Sequence, residues 1–168
     1  MRLRFTLIEM LVVVVILGIA AAISIPMMGS AGSVQIRSAA NEIAADIEYA
    51  KSMAISHGQC YSIVFDSSTE SYEILRESGG SLVSIDHPVK RGFDYVIEFG
   101  AGSGLDNVEI TSADFDTSST VTFDYLGSPY SGTGTTSPLN SGSIVLSGGS
   151  ETITVNVEAV TGYVSISD

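Results

Sequence analysis

Glu9 is the one charge in an apolar run that extends from Phe5 to Ile25. At about 1.5 Å of rise per residue, a helix of those 21 residues crosses the roughly 30 Å hydrocarbon core of a bilayer. An ionisable side chain at the centre of such a helix costs on the order of 3 kcal/mol, and less near its end, so it calls for a partner or a proton. Glu9 is therefore the first candidate functional group. A plain membrane anchor has no use for it. A secretory signal peptide does not fit either, because its apolar region is about 7 to 15 residues long and ends at a small-residue cleavage site. This run is longer and continues into Pro26-Met27-Met28.

Elsewhere the residue types that carry chemistry are scattered. His57 and His87 are far apart, with no cysteine or acid at metal-ligand spacing, and read as polar residues in turns. Gly100-Ala101-Gly102-Ser103-Gly104 precedes Asp106 and Glu109 and opens no helix, which makes it a loop and no phosphate cradle. Asp66-Ser67-Ser68-Thr69-Glu70 gathers the oxygens that calcium takes but lacks the spacing and glycine of a calcium loop, and a hairpin turn accounts for it. Asp114-Phe115-Asp116 is an equally weak cluster. The single Cys60 has no partner for an internal disulfide. The expectation is a chain with no catalytic, cofactor-binding or metal-binding set, and no enzyme.

The elements that position these groups follow a simple order: a basic leader over residues 1–4, a membrane helix over 5–25, an amphipathic helix over 26–58 and a β-rich domain over 59–168. Gly29-Ser30-Ala31-Gly32-Ser33 interrupts the apolar run and loosens the helix there. Beyond it, Ile36, Ala40, Ile43, Ile47, Ala50 and Ala54 recur at spacings of three and four and form one stripe. Arg37, Asn41, Glu42, Asp46, Glu48 and Lys51 take the other, wet faces, and Gly58 after His57 caps the helix. The period then turns strand-like. Cys60 to Phe65 and Tyr72 to Arg76 flank the turn Asp66 to Ser71 as a hairpin. Further strands are expected at Ser81 to Ile85, Phe93 to Phe99, Val108 to Ile110, Ser119 to Tyr125, Ser143 to Leu146, Thr152 to Val157 and Gly162 to Ile166. The longest loop is Gly127 to Gly142. The fold class is α+β, a long N-terminal helix laid on antiparallel sheet.

Charge sets the surroundings. Removing Glu9, Arg2 and Arg4 from the 19 acids and 7 bases leaves 18 acids against 5 bases after Pro26, a net of −13. Such a surface repels nucleic acid and anionic headgroups. Arg2 and Arg4 orient the helix with its N-terminus cytoplasmic, which puts the acidic domain across the membrane.

A short basic leader followed by Phe5-Thr6-Leu7-Ile8-Glu9 and an apolar helix closely resembles the N-terminus of type IV prepilins and of the pseudopilins of type II secretion. Glu9, Gly18 and Pro26 fall on the fifth, fourteenth and twenty-second residues counted from Phe5, matching the family pattern. The resemblance implies that a prepilin peptidase cuts between Arg4 and Phe5 and that Phe5 is then methylated. It also implies that Glu9 pairs with the amine of a neighbouring subunit's Phe5, and that the stretch from Gly18 to Pro26 unwinds on assembly. Both of those residues are poor in helix interiors. The chain departs from the pattern at Arg4, where the family has Gly or, less often, Ala.

The soluble half resembles the H-type minor pseudopilins, the GspH/FimT-like family. The likeness runs through Arg37 to Glu42, Ala50 to Ile55 with Gly58-Gln59, Val121 to Pro129, Gly142 to Gly149, Ile153-Thr154-Val155 and Val160 to Ile166, and so covers nearly the whole chain. It implies a type IV pilin-like fold in the bacterial inner membrane, single-pass, with a periplasmic domain. The implied function is a minor subunit of a type II secretion pseudopilus; a minor pilin that primes a type IV pilus for adhesion or DNA uptake is the alternative. A membrane-anchored binding protein that does not assemble is a third class. Implied partners are major and minor pseudopilins or pilins, the peptidase and the inner-membrane assembly platform. DNA-binding members of the branch carry Arg and Lys in their C-terminal strands, whereas Glu151 to Asp168 holds no base at all, so direct nucleic-acid capture is not expected. The loops Gly100 to Asp106 and Gly127 to Gly142 are candidates for partner contacts.

Overall fold

A computed structural model of the chain describes residues 6–27, 31–100 and 102–168, with side chains described for 6–20, 32–100 and 102–168. Helix α1 is Leu7–Met27 and helix α2 is Ala31–His57. The apolar stripe of α2 goes inward as its spacing requires: Ile36, Ala39, Ala40, Ile43, Ile47, Ala50 and Ala54 are all fully buried. Gly58 takes a φ of 63°, and the Gln59 N–H donates to the Ala54 carbonyl at 3.3 Å, closing the helix with a left-handed glycine.

Among the described residues ten antiparallel strands follow: β1 Tyr61–Asp66, β2 Ser71–Ser78, β3 Ser81–Ser84, β4 Val96–Glu98, β5 Val108–Phe115, β6 Thr120–Phe123, β7 Pro129–Ser131, β8 Gly142–Gly148, β9 Glu151–Val157 and β10 Val164–Ser167. One sheet runs in the order β3-β2-β1-β6-β7, and β4 pairs with the stretch of the β2 edge that β3 leaves open. The second runs β10-β9-β8-β5. Helix α2 lies across both, touching β1 and β6 of the first and β5, β8, β9 and β10 of the second. Two glycines set how closely layers approach. A Cβ on Gly148 would lie 3.0 Å from the Ile36 Cβ of α2, and one on Gly142 would lie 2.7 Å from the Phe115 ring. Phe115 in turn stacks on Phe65 at 5.7 Å, joining the two sheets.

Three sequence expectations need correction. Asp46 does not stay wet. It is only 9% exposed, because it flanks the stripe between Ile43 and Ala50 and meets two tyrosine hydroxyls that satisfy its carboxylate. The segment from Phe93 to Phe99 is a strand only at Val96–Glu98. Before it the chain doubles back, with His87 N–H donating to the Phe93 carbonyl and Tyr95 N–H to the Ile85 carbonyl. The loop Gly127 to Gly142 contains β7, a three-residue edge strand whose first residue, Pro129, disguised it, since proline is tolerated in sheets chiefly at edges and strand starts. In addition, β5 runs on to Phe115, past a register shift between Ile110 and Ser112 that breaks the alternation the eye follows.

Candidate functional site

At the start of α1 the sequence Thr6-Leu7-Ile8-Glu9 folds into a reciprocal cap. The Glu9 N–H donates to Thr6 Oγ1 at 3.3 Å, and the Thr6 N–H donates to Glu9 Oε2 at 3.4 Å. This is the capping-box arrangement of a Ser or Thr with a Glu three residues on, and it satisfies two backbone donors that a helix start leaves open. Glu9 therefore holds a fixed place at the positive end of the helix while its side chain remains exposed. The signal was present in the sequence as T-x-x-E, hidden under the more conspicuous apolar run. Gly18 has open space around the position a Cβ would take. Pro26 lies within α1, and Arg4 and Phe5 lie outside the described residues. The large apolar side chains from Leu7 to Ile19 are all exposed, each by 47% or more, so this surface is unspent on the chain's own core. Among the described residues no helix is long and apolar enough to cross a membrane.

Inside the domain, the buried Asp46 accepts from Tyr72 Oη and from Tyr95 Oη, each at 2.7 Å, clamping α2 to β2 and to the segment before β4. Burial, with the Asp46 charge beside them, pushes both phenols far above the ordinary tyrosine range. Glu42, one turn earlier, is raised above the usual carboxylate value by burial and by Asp46, with Lys90 and His87 opposing. Glu42 and Lys90 line a cavity of about 510 Å³ against Phe99, Gly100, Ser103 and Leu105.

Each of the two histidines is held by its own local partners. His57 Nδ1 shares a 2.6 Å hydrogen bond with Tyr61 Oη. His87 stacks on Tyr95 at 4.6 Å, and its Nδ1 accepts from the Val89 and Lys90 N–H groups. Asp66 Oδ1 accepts from the Ser68 N–H and hydroxyl, which holds its carboxyl below the usual range, while Glu70 accepts from the Ile110 N–H across to β5. Asp114 accepts from the Thr117 N–H, and Asp116 from Asn140 and Ser141. Asp66 and Asp114 thus fix turns, Glu70 ties its hairpin to β5, and Asp116 ties the end of β5 to the loop before β8. Among the described residues no group of three or more His, Cys, Asp or Glu is placed to hold a metal ion. Ser103 and Asp106 tie down the loop from Gly100 to Asp106 through Gly100, Gly102 and Leu105.

A different surface escaped sequence reasoning. The turn after β6 is built by buried Asp124, whose Oδ1 accepts from the Leu126 and Ser128 N–H groups at 2.9 and 2.8 Å. It sits against the last turns of α2, where a Cβ on Gly127 would lie 2.8 Å from Ile55 Cδ1. The β9–β10 turn comes beside it, with a Cβ on Gly162 falling 3.4 Å from the Gly127 carbonyl oxygen and Lys51 Nζ donating to the Gly162 carbonyl. Ile55, Tyr125, Leu126, Val160 and Tyr163 are each more than half exposed around this junction. Val160 is held at a φ of 66° by a tight turn in which the Thr161 N–H donates to the Ala159 carbonyl at 2.7 Å, a strained geometry for a β-branched residue.

An N-terminal helix capped around an acid, and after it in the chain a second helix laid across two antiparallel sheets, define an α+β fold of the pilin-like class. The particular family follows from comparison with known proteins. Residues 39–161 match the family model described as type II transport protein GspH, and residues 5–25 match the prokaryotic N-terminal methylation motif. The chain belongs to the GspH family. Two structures of the minor pseudopilin EpsH from the type II secretion system of Vibrio cholerae superpose with a TM-score of 0.57. One is 10% identical, covering 79% of this chain and 96% of that one; the other is 9% identical, covering 79% and 92%. The type IV minor pilin FimU of Pseudomonas aeruginosa superposes with a TM-score of 0.49 at 16% identity, covering 79% of this chain and 92% of that one. At 9% and 10% identity the likeness to EpsH is one of fold. No curated protein sequence matches the chain.

Proposed function

We propose that this chain serves as a minor pseudopilin of a type II secretion system, a structural subunit whose work is assembly and not catalysis. The observation that carries the reading is the presence, in one chain, of the GspH match over 39–161 and the N-terminal methylation motif over 5–25. In this reading α1 anchors the subunit in the inner membrane with its N-terminus cytoplasmic, and the acidic domain stands in the periplasm. Cleavage between Arg4 and Phe5 frees an amine on Phe5. Glu9 of one subunit then pairs with that amine on the next, so neither charge enters the helical bundle alone. The stretch between Gly18 and Pro26 yields when helices pack, since both residues weaken helix interiors. The exposed apolar side chains of α1 supply the buried area of the bundle. Other pilin-like subunits are the partners, with the junction around Ile55, Leu126, Val160 and Tyr163 as the face the domain turns to a neighbour.

Mass spectrometry of the N-terminus of the protein recovered from its own cells tests the processing step. A methylated Phe5 is expected; an intact Met1-Arg2-Leu3-Arg4 on protein found in filaments would overturn the proposed cleavage.

A further inference from the structure

Arg76 in β2 stands opposite Tyr61 of β1 and Val83 of β3, and its side chain enters a cavity of about 380 Å³ beneath the end of α2. His57, Tyr61, Ser84, Asp86 and Met53 complete the walls. The Arg76 Nε is sheltered from solvent and donates to nothing. Among the described residues the ion pairs are Arg37 with Asp168 and Lys51 with Glu48, and Arg76 takes part in neither. This stands out in a domain where 18 acids outnumber 5 bases, because a partner for a guanidinium is never scarce. Arg76 as a whole is half-buried, but its sheltered Nε–H is a donor of a charged group left unmatched, which is costly and calls for an acceptor. The guanidinium fork fits a planar carboxylate with two parallel hydrogen bonds. Tyr61, paired with Arg76 across β1 and β2, lines the same cavity, and its hydroxyl, which shares a 2.6 Å hydrogen bond with His57 Nδ1, donates to the anion when His57 Nδ1 carries the proton. One cation with the exposed Asp86 in the same lining suits a single negative charge and disfavours a dianion such as phosphate.

We propose that the cavity between the end of α2 and the β1–β2–β3 edge is a carboxylate-binding site in which Arg76 is the anchoring residue, for a free carboxylate or for the acidic side chain of another protein. The site does not depend on filament assembly. Its test uses the full chain in detergent micelles, labelled with ¹⁵N, with the arginine Nε–H resonances followed during titration with acetate at constant ionic strength. Arg76→Lys assigns the peak. The Arg76 Nε–H signal is expected to move saturably while those of Arg37 and Arg91 do not, and phosphate is expected to bind more weakly than acetate. Arg76→Lys keeps the charge but loses the fork, and should weaken acetate binding, read from the Tyr61 ring resonances, by about tenfold with the melting temperature little changed. A parallel titration with a capped Gly-Glu-Gly peptide separates the two sources: tighter binding than acetate assigns the site to a protein side chain, and equal binding to a free carboxylate. If the Arg76 signal moves no more than that of exposed Arg91 with either probe, the donor is satisfied by water alone and the proposal is wrong.

Discussion

Glu9 and Asp46 are the two acids on which the residue-scale account turns, and the sequence treated them very differently. Glu9 is conspicuous because it interrupts an apolar run, and that run masks its local bonding to Thr6. Asp46 passed as a surface residue because periodicity alone cannot see two tyrosines arriving from 26 and 49 positions away. Asp46→Asn retains the shape while losing the charge that both hydroxyls bond to. Denaturant unfolding should show a loss of about 2 kcal/mol. The same pair gives a pH dependence. Because the folded state raises the Tyr72 phenol above its ordinary value of 10.0, the folded chain holds that proton more tightly than the unfolded one. The stabilisation is complete below pH 10 and falls as the unfolded state ionises above it, by about 1.4 kcal/mol per pH unit for one tyrosine. Alkaline unfolding of Tyr72→Phe should start from lower stability and decline less steeply; equal slopes would mean that the phenol is not linked to folding. Glu42 has the same sign in the acid range, since its folded value is also raised. Glu42→Gln should melt higher than the parent at pH 7, with the difference closing below about pH 4.5.

At the scale of elements, α2 was the most legible part of the chain, since every residue of its predicted stripe is buried and its glycine cap is where Gly58 predicted it. The hairpin of β1 and β2 and the last three strands were legible for a related reason, alternation bounded by turn residues. What failed were short edge strands: β7 begins with a proline, and β4 is only three residues long because β2 offers it a single free stretch of edge. Turn chemistry explains how the two sheets are brought together at the end of α2, and it can be tested there. Gly162 has a φ of 57° and no room for a Cβ, which would lie 2.8 Å from the Phe123 ring. Gly162→Ala should destabilise by about 2 kcal/mol or more, through strain and overpacking together. Val160, two residues earlier, has the opposite mismatch. Val160→Gly should raise stability by about 1 kcal/mol in the same thermal melts, because the strain of its positive φ disappears. A fall in stability there would show that the exposed valine side chain is packed in solution.

For the molecule as a whole, sequence and structure agree on a division of labour. The apolar surface of α1 is left exposed, while α2 and two sheets close a core of their own. The fold class and family were readable because the N-terminal motif is dense in specific residues. The Asp46 clamp, the Arg76 cavity and the apolar junction were not, because each is made by residues distant in sequence. The acidic balance also has a consequence at this scale: the full chain should give no gel shift with DNA at low salt, as 18 acids against 5 bases beyond Pro26 leave no patch to release counterions from phosphates. The central claim is that Glu9 acts through its charge on a neighbouring subunit, whereas the cap it makes with Thr6 only holds it in place. Glutamine keeps the capping box and removes the charge. The decisive measurement is therefore the recovery of Glu9→Gln and Glu9→Ala in filaments, by co-purification with the other pilin-like subunits from cells. The account predicts that both variants are lost from the assembly; incorporation of Glu9→Gln at the parent level, with Glu9→Ala excluded, would contradict it and reduce Glu9 to a helix cap.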